Sequence, residues 1–306
     1  MPASRALRLA VVTKNKDNPA YAGARLGVDR LAARYGSTVR HYVPDTPDSI
    51  DEQRGLIEAA IADRPDAIAL VPAHATALDE TLRKAEAAGV PLFGFVNPLA
   101  NIKCVTFAGS DDRALGEAIA ERLFDHIGGG AEIVIMEGSP NAPTAIARHE
   151  GFRTVLHRRP AVRELAAGRG EFHREPARLA MAALLDAHPR IDGVLVANDL
   201  MAMGVIDALR AAERTIPIVS VNATPDGVAA IKRGDMLATA AFDAMRMACT
   251  AVHAAHRHLS GQPVPAQIIL PVEIVDAQNC ARWDRDYPDR PLPEWDEVAG
   301  AAKGIA

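Results

Sequence analysis

The chain has little from which to build a covalent framework or a metal centre. Among 306 residues there are three cysteines, Cys104, Cys249 and Cys280, odd in number and without a CxxC pair. That usage indicates neither a disulfide framework nor a zinc site, and leaves the thiols as buried or idle groups. No apolar run approaches the ~18 residues of a membrane helix. No GxGxxG, no GxSxG and no GxxxxGK followed by Ser or Thr occurs. Nucleotide cofactors and the common hydrolase elbow thus lose their usual signatures, and no cofactor is expected. Positive charge is also in short supply: the net charge is -5, with acidic and basic residues interspersed. Such a surface has no electrostatic footprint for nucleic acid or an anionic membrane, so the expected partner is a small molecule.

What is present is a regular alternation. The length suggests roughly two domains, and a 49% hydrophobic content fits a globular protein. The segments 9–13, 39–43, 67–71 and 91–96 read as strands, and the short, uniformly apolar run 218–221 reads as one buried on both faces. Between them, 19–35, 49–62 and 77–88 read as helices, with Ser49 as a cap and Gly36 and Gly89 as stops. Strand and helix in strict turn argue for a parallel doubly wound sheet. After a strand at 105–108 the pattern restarts with a helix ending at Gly128, with Ser110 and Asp111 as its capping residues. Strands at 132–137, 162–166, 193–197, 216–221 and 237–241 follow, with helices over 144–157, 176–187, 200–212 and 245–259. A last strand is expected over 268–275. Beyond it, 281–306 reads as an irregular tail rich in Asp, Arg and Pro.

Four strands share one ending. Thr13 leads to Lys14-Asn15 and Asn18, the fourth strand ends in Asn97, another in Asn198-Asp199, and 218–221 in Asn222 before Thr224-Pro225-Asp226-Gly227. Thr224 can cap the next helix with Pro225 at its first position. Carboxyl ends of strands are where open α/β sheets bind ligands. One such Asn is as readily a turn residue as a contact; four form a pattern. An amide both donates and accepts, matching vicinal hydroxyls, and an aromatic side chain can cover the C–H face of a sugar. Tyr21, Phe172 and Phe242 lie near strand ends, whereas Phe93 and Phe95 read as core.

On these motifs, joined by Arg148-x-x-Gly151-Phe152 and Ala197-Asn198-Asp199 with Met201-Ala202, the chain resembles the ribose-binding protein family, the type I periplasmic binding proteins. The resemblance runs from Leu9 to about Val275. It implies an α/β fold of two doubly wound parallel-sheet lobes joined by a three-stranded hinge, closing on the ligand. The lobes would be 1–109 plus 244–270, and 110–243 plus 271–280, with 281–306 as the tail. It further implies ligand contacts near Thr13, Asn18, Tyr21 and Asn97 in the first lobe, near Arg148, Phe172, Asn198 and Asn222 in the second, and Asp243 at the hinge. Departures from the family pattern reshape the site: Ala20-Tyr21 replaces an aromatic pair, Val96-Asn97 an acidic-basic pair, Ile146 an arginine common in pentose binders, and Asn222 the usual aspartate. Arg148 is then either a ligand contact or a structural residue of its helix.

The resemblance implies a solute-binding protein, expected as a monomer, that hands a sugar or polyol to the membrane permease subunits of an ATP-driven importer. The alternative is the effector core of a lactose-repressor-type regulator, and a third reading is an enzyme, for which no nucleophile, base and orienting partner are recognisable. No export signal is visible, which fits either a cytoplasmic protein or a periplasmic or other extracytoplasmic one whose signal has been removed. His253, His256 and His258 share a helix without a matching set of metal ligands, so no metal is expected. Asp111-Asp112 suits helix capping better than paired acid–base chemistry.

Overall fold

The computed structural model describes residues 6–301. Packing divides the chain into two compact units. Unit 1 holds the described residues through Ser110, Asp243–Pro271 and the segment from Tyr287 onward; unit 2 holds Asp111–Phe242 and Val272–Asp286. The chain therefore passes from one unit to the other four times, at 110/111, 242/243, 271/272 and 286/287. The resemblance implies three crossings; the fourth is made by the tail.

Unit 1 begins β1 (Arg8–Val12), α1 (Pro19–Arg34), β2 (Thr38–Tyr42), α2 (Ile50–Ala62), β3 (Ala67–Leu70), α3 (Asp79–Ala87), β4 (Leu92–Phe95) and β5 (Thr106–Ser110). Unit 2 follows with α4 (Asp112–Ile127), β6 (Glu132–Glu137), α5 (Pro143–Arg158), β7 (Arg163–Arg169), α6 (Arg174–Ala187), β8 (Gly193–Val196), α7 (Asp199–Ala211), β9 (Ile218–Val221), α8 (Pro225–Arg233) and β10 (Ala238–Ala240). The chain then adds α9 (Ala244–Leu259) and β11 (Gln267–Leu270) to unit 1, β12 (Ile274–Asp276) to unit 2, and α10 (Trp295–Ala301) to unit 1.

Each unit carries one six-stranded sheet, ordered β11-β5-β4-β3-β1-β2 in unit 1 and β12-β10-β9-β8-β6-β7 in unit 2. All pairs are parallel except β10 with β12. β3, β4, β8 and β9 are buried along their whole length, which is why they read as unbroken apolar runs rather than alternating ones. Helix starts follow their capping chemistry: Asn18, Ser49, Asp111, Asn198, Thr224 and Asp243 each accept a hydrogen bond from a backbone N–H in the first turn. Ser110, expected as a capping residue, instead ends β5.

α4 and α5 cross with almost no space between their backbones. A Cβ on Gly116 would run into the Arg148 carbonyl, and one on Gly151 into the Arg113 carbonyl. These two glycines let α5 settle deep enough for Arg148 to be buried.

Three expectations differ from the structure. The single strand over 268–275 is two, because Pro271 cannot donate to a ladder and the chain changes sheet there, β11 pairing parallel with β5 and β12 antiparallel with β10. The weak strand near 162–166 runs on to Arg169; as an edge strand its side chains are mostly half-exposed, which blunted its apolar signal. The tail is not irregular throughout: Leu292 and Val298 are buried, Tyr287 lies over Gly23, and α10 packs on α9 and β11. Its few apolar anchors are spaced too widely among Asp, Arg and Pro to show a period.

The histidines of α9 belong to this packing. His253 Nδ1 lies 2.7 Å from the Tyr35 hydroxyl and its Nε2 donates to the Pro293 carbonyl at 2.9 Å. His256 stacks on the Tyr35 ring at 3.9 Å. Among the described residues no group of three or more His, Cys, Asp or Glu side chains is placed to hold a metal ion.

Two outcomes follow. Gly151→Ala should destabilise unit 2 by roughly 1–3 kcal/mol through overpacking; an unchanged denaturation midpoint would mean that the helices separate freely. Burial holds the His256 pKa down to about 4, from 6.5. The unfolded chain takes up this proton first, so the contribution is complete above pH 6.5 and is lost as the pH falls towards about 4. Melting temperatures across that range should fall less steeply in His256→Phe, which keeps the stacking but cannot titrate.

Candidate functional site: polar groups at the carboxyl ends of the strands

Strand order reverses between β1 and β3 in unit 1 and between β6 and β8 in unit 2. At such a point the flanking connections leave for opposite faces and open a crevice at the carboxyl edge of the sheet. The residues expected to bind ligand are distributed around these two edges.

In unit 1, Thr13 is fully buried at the end of β1, its Oγ1 accepting from Arg25 Nη1 at 3.2 Å. Gln53 of α2 holds the reversal point open: its amide donates to the carbonyls of Thr13 and Val71 and accepts from Ala73 N at 2.7 Å. Asn18 caps α1, its Oδ1 accepting from Ala20 N at 3.0 Å. Tyr21, one turn on, is buried, and the Lys14 ammonium sits 5.8 Å from its ring centre.

At the end of β4, Val96 has φ +67, an unfavourable conformation for a β-branched residue, and Asn97 N donates to Phe95 O at 2.8 Å to close a tight turn. That strained turn aims Asn97. Its Nδ2 donates to Pro72 O at 2.8 Å, while its buried Oδ1 has no hydrogen-bond partner among the described residues. Asp243 caps α9 through Oδ1 to Arg246 N at 2.9 Å. Burial raises its pKa, against the Arg246 N–H and the Arg290 and Arg246 guanidinium groups.

In unit 2 the organising group is Asp199, at the first turn of α7 and fully buried. Its carboxylate accepts from the Ser220 hydroxyl, from Thr224 N at 2.7 Å, from Thr224 Oγ1 at 3.0 Å and from Thr239 Oγ1 at 2.7 Å. Burial pushes its pKa up, and these four hydrogen bonds pull it back. Asn222 lies between the two anchored residues Ser220 and Thr224. With φ +144, followed by Ala223 at +53, it leaves the strand in a conformation that frees its side chain from the sheet. Its N–H still donates to Ala240 O at 2.9 Å, and its side chain makes no hydrogen bond within the described residues.

Asn198 caps α7 through Oδ1 to Met201 N at 2.9 Å, leaving Nδ2 for another partner. Arg148 is a brace: Nε donates to Asp112 Oδ1 at 2.7 Å, Nη1 to Ala197 O at 2.8 Å, and its guanidinium lies 4.6 Å from the Phe242 ring centre. It thereby joins α4, the end of β8 and the end of β10. Phe172 is buried at φ +63, its ring filling the space that the missing Cβ of Gly138 leaves at the end of β6. Ile146, where a pentose-binder arginine was expected, is 48% exposed on α5.

The structure thus gathers Thr13, Asn18, Tyr21 and Asn97 at the edge of unit 1, and Arg148, Phe172, Asn198 and Asn222 at the edge of unit 2. Sequence reasoning passed over three contributors to these edges. Lys14 is buried and ion-paired to Asp48 at 3.0 Å. Burial works against its charge, but Tyr21 and Asp48 outweigh it and raise its pKa. Its only sequence signal was its place directly after Thr13. Asp199 had the same kind of signal, its place directly after Asn198, and Gln53 carried less; the buried role of each depends on loops far away in sequence. The groups on both edges are donors and acceptors for hydroxyls. The perturbed carboxylate of unit 2, Asp199, has its oxygens occupied, so it is unsuited to acid–base chemistry.

The chain belongs to the family described as the periplasmic binding protein domain, whose model matches residues 9–263. It is similar to the ribose import binding protein of Bacillus subtilis, with 27% identity over 266 residues, 87% of this chain and 85% of that protein. It is also similar to the xylitol-binding protein of Mycolicibacterium smegmatis, 33% identical over 195 residues that cover 62% of this chain and 55% of the relative. A solved structure from Mycobacterium smegmatis in complex with β-D-fucofuranose matches with a TM-score of 0.84 and 25% identity, over 97% of this chain and 98% of that one. The fold is the two-lobed α/β fold of type I periplasmic binding proteins. Among the described residues no helix is long and apolar enough to cross a membrane.

Asp199→Ala should cost about 3–5 kcal/mol in chemical denaturation, because it strands the buried donors of Ser220, Thr224 and Thr239. A loss below ~1 kcal/mol would show that those donors find other partners.

Proposed function

We propose that this chain is a solute-binding protein that captures a neutral sugar or polyol and presents it to an ATP-driven importer, acting as a monomer in the periplasm or another extracytoplasmic compartment. The observation that carries the reading is the set of strand-end amides. Asn97, Asn198 and Asn222 are each fixed by hydrogen bonds of their own backbone or side chain, and each keeps hydrogen-bonding capacity in reserve. Leaving such groups buried without partners costs ~1–3 kcal/mol apiece, so a ligand rich in hydroxyls recovers what a less polar one forfeits. Tyr21 in unit 1 and Phe172 in unit 2 are buried aromatic side chains of the kind that covers the C–H face of a sugar.

Relatives named for ribose and for xylitol support both a sugar and a polyol. They are named as binding proteins, one of them for import, which favours transport over the effector core of a regulator. Nothing in the donor set asks for a bound metal or cofactor. Asn222 stands where the resemblance expects an aspartate, so the site carries less negative charge than a ribose site of the usual pattern, and D-ribose is only one of the candidates.

Titration with D-ribose, D-allose, xylitol and D-fucose should raise the melting temperature with at least one; a flat response across these and a wider set of sugars and polyols would refute the reading. With the ligand so found, Asn222→Ala should weaken binding by ~10- to 100-fold, about 1.4–2.8 kcal/mol, without lowering the ligand-free melting temperature. Unchanged affinity would return Asn222 to the role of a turn residue.

A further inference from the structure

The loop that joins β1 to α1, residues 13–18, ends on Asn18, one of the proposed ligand contacts. Two side chains fold it. Asn15 acts from within: its Oδ1 accepts from Asp17 N at 2.8 Å and from Asn18 N at 2.9 Å, an Asx turn that brings the chain round to the start of α1. Arg25 acts from outside. Side chains of a helix lean towards its amino-terminal end, so from the second turn of α1 the Arg25 guanidinium reaches back over the loop. Its Nη1 donates to Thr13 Oγ1 at 3.2 Å and to Asn15 O at 3.1 Å, and its Nη2 to Lys16 O at 3.4 Å.

Four successive carbonyls of the loop are thereby bonded within the protein. Thr13 O accepts from Gln53 Nε2 at 3.3 Å and Lys14 O from Asp48 N at 2.7 Å, and Arg25 serves the carbonyls of Asn15 and Lys16. A surface loop that only joined a strand to a helix could leave such carbonyls to water. Asn18 in turn uses Oδ1 for Ala20 N, which leaves Nδ2 as its group for a ligand. We infer that Arg25 is a positioning residue for Asn18: its guanidinium locks residues 13–16, and the Asn15 turn then fixes where the Asn18 amide stands. This rests on the proposed function, in which Asn18 touches the ligand. The three acceptors are met by one planar fork, which a lysine ammonium, a single point of charge, does not reproduce. A loop ordered before the ligand arrives draws less on the binding energy to order itself.

The test uses the full chain with D-ribose and xylitol as probes and the variants Arg25→Met, Arg25→Lys, Asn18→Ser and the double variant Arg25→Met with Asn18→Ser. Arg25→Met should weaken probe binding roughly tenfold, and Arg25→Lys, which keeps the charge but not the fork, should recover little of it. Asn18→Ser keeps a capping oxygen and loses Nδ2. In that background Arg25→Met should cost almost nothing further, because both changes act on one contact, whereas a purely structural role would subtract the same affinity in either background. Wild-type affinity in Arg25→Met, full recovery in Arg25→Lys, or equal losses with and without Asn18 would overturn the role of Arg25. A second measurement does not depend on the ligand. In the ligand-free protein, hydrogen exchange at the amides of Asp17 and Asn18, both bonded to Asn15 Oδ1, should speed up in Arg25→Met, while the amide of Tyr35 at the far end of α1 keeps its rate. Unchanged exchange at the first two amides would contradict the inference even if neither probe binds the wild type, an outcome that would count against the proposed ligands alone.

Discussion

The carboxylate of Asp199 sits where α7, β9, β10 and the start of α8 meet, and each of the last three delivers a donor to it. A buried ion of this kind is tolerable only when nearly all of its acceptor sites are filled, and removing it would leave the donors stranded. The consequence reaches the ligand edge, because the two residues that flank the Asn222 turn, Ser220 and Thr224, are both tied to the same group. Gln53 plays the corresponding part in unit 1 without charge, bonding the ends of β1 and β3 at the point where strand order reverses. In both units one polar side chain from a helix fixes loops that carry proposed contacts.

This bracing matters because several of the proposed contacts are presented in conformations that the backbone does not favour. Val96, Phe172 and Ala223 have positive φ, and Asn222 is at +144. Strained residues of this type cost of order 1–3 kcal/mol each and persist only where the surroundings over-determine them. Here the strain turns amides and an aromatic ring out of the sheet at strand ends. A binding site prepared in that way spends less of its interaction energy on ordering itself when the ligand arrives.

Much of this was readable from sequence because buried parallel strands leave a strong signature. The unbroken apolar runs of β3, β4, β8 and β9, the Ser49 and Thr224 caps and the recurring terminal Asn were all visible before any coordinates. Edge and transition elements were less visible. β7 alternates only weakly because it is half-exposed, and the run 268–275 hid a change of sheet at Pro271. The tail was the hardest, since Tyr287, Leu292 and Val298 are anchors without a period, and their partners lie in α1 and α9. Lys14, Gln53 and Asp199 share that difficulty: a buried polar residue looks like an exposed one until its distant partner is known. The resemblance to ribose-binding proteins named the expected contacts, while the bonds of Asp199, Arg148 and Gln53 show how the strand ends around them are held.

The most direct measurement is a crystal structure with a sugar or polyol chosen from the titrations. Ligand hydroxyls should lie within ~3.2 Å of Asn97 Oδ1 or of the Asn222 side-chain amide, with the Asp199 bonds unchanged. A ligand bound away from the carboxyl ends of the strands, or one that leaves both amides without a ligand contact, would contradict the proposal that these strand-end amides select a polyhydroxylated solute.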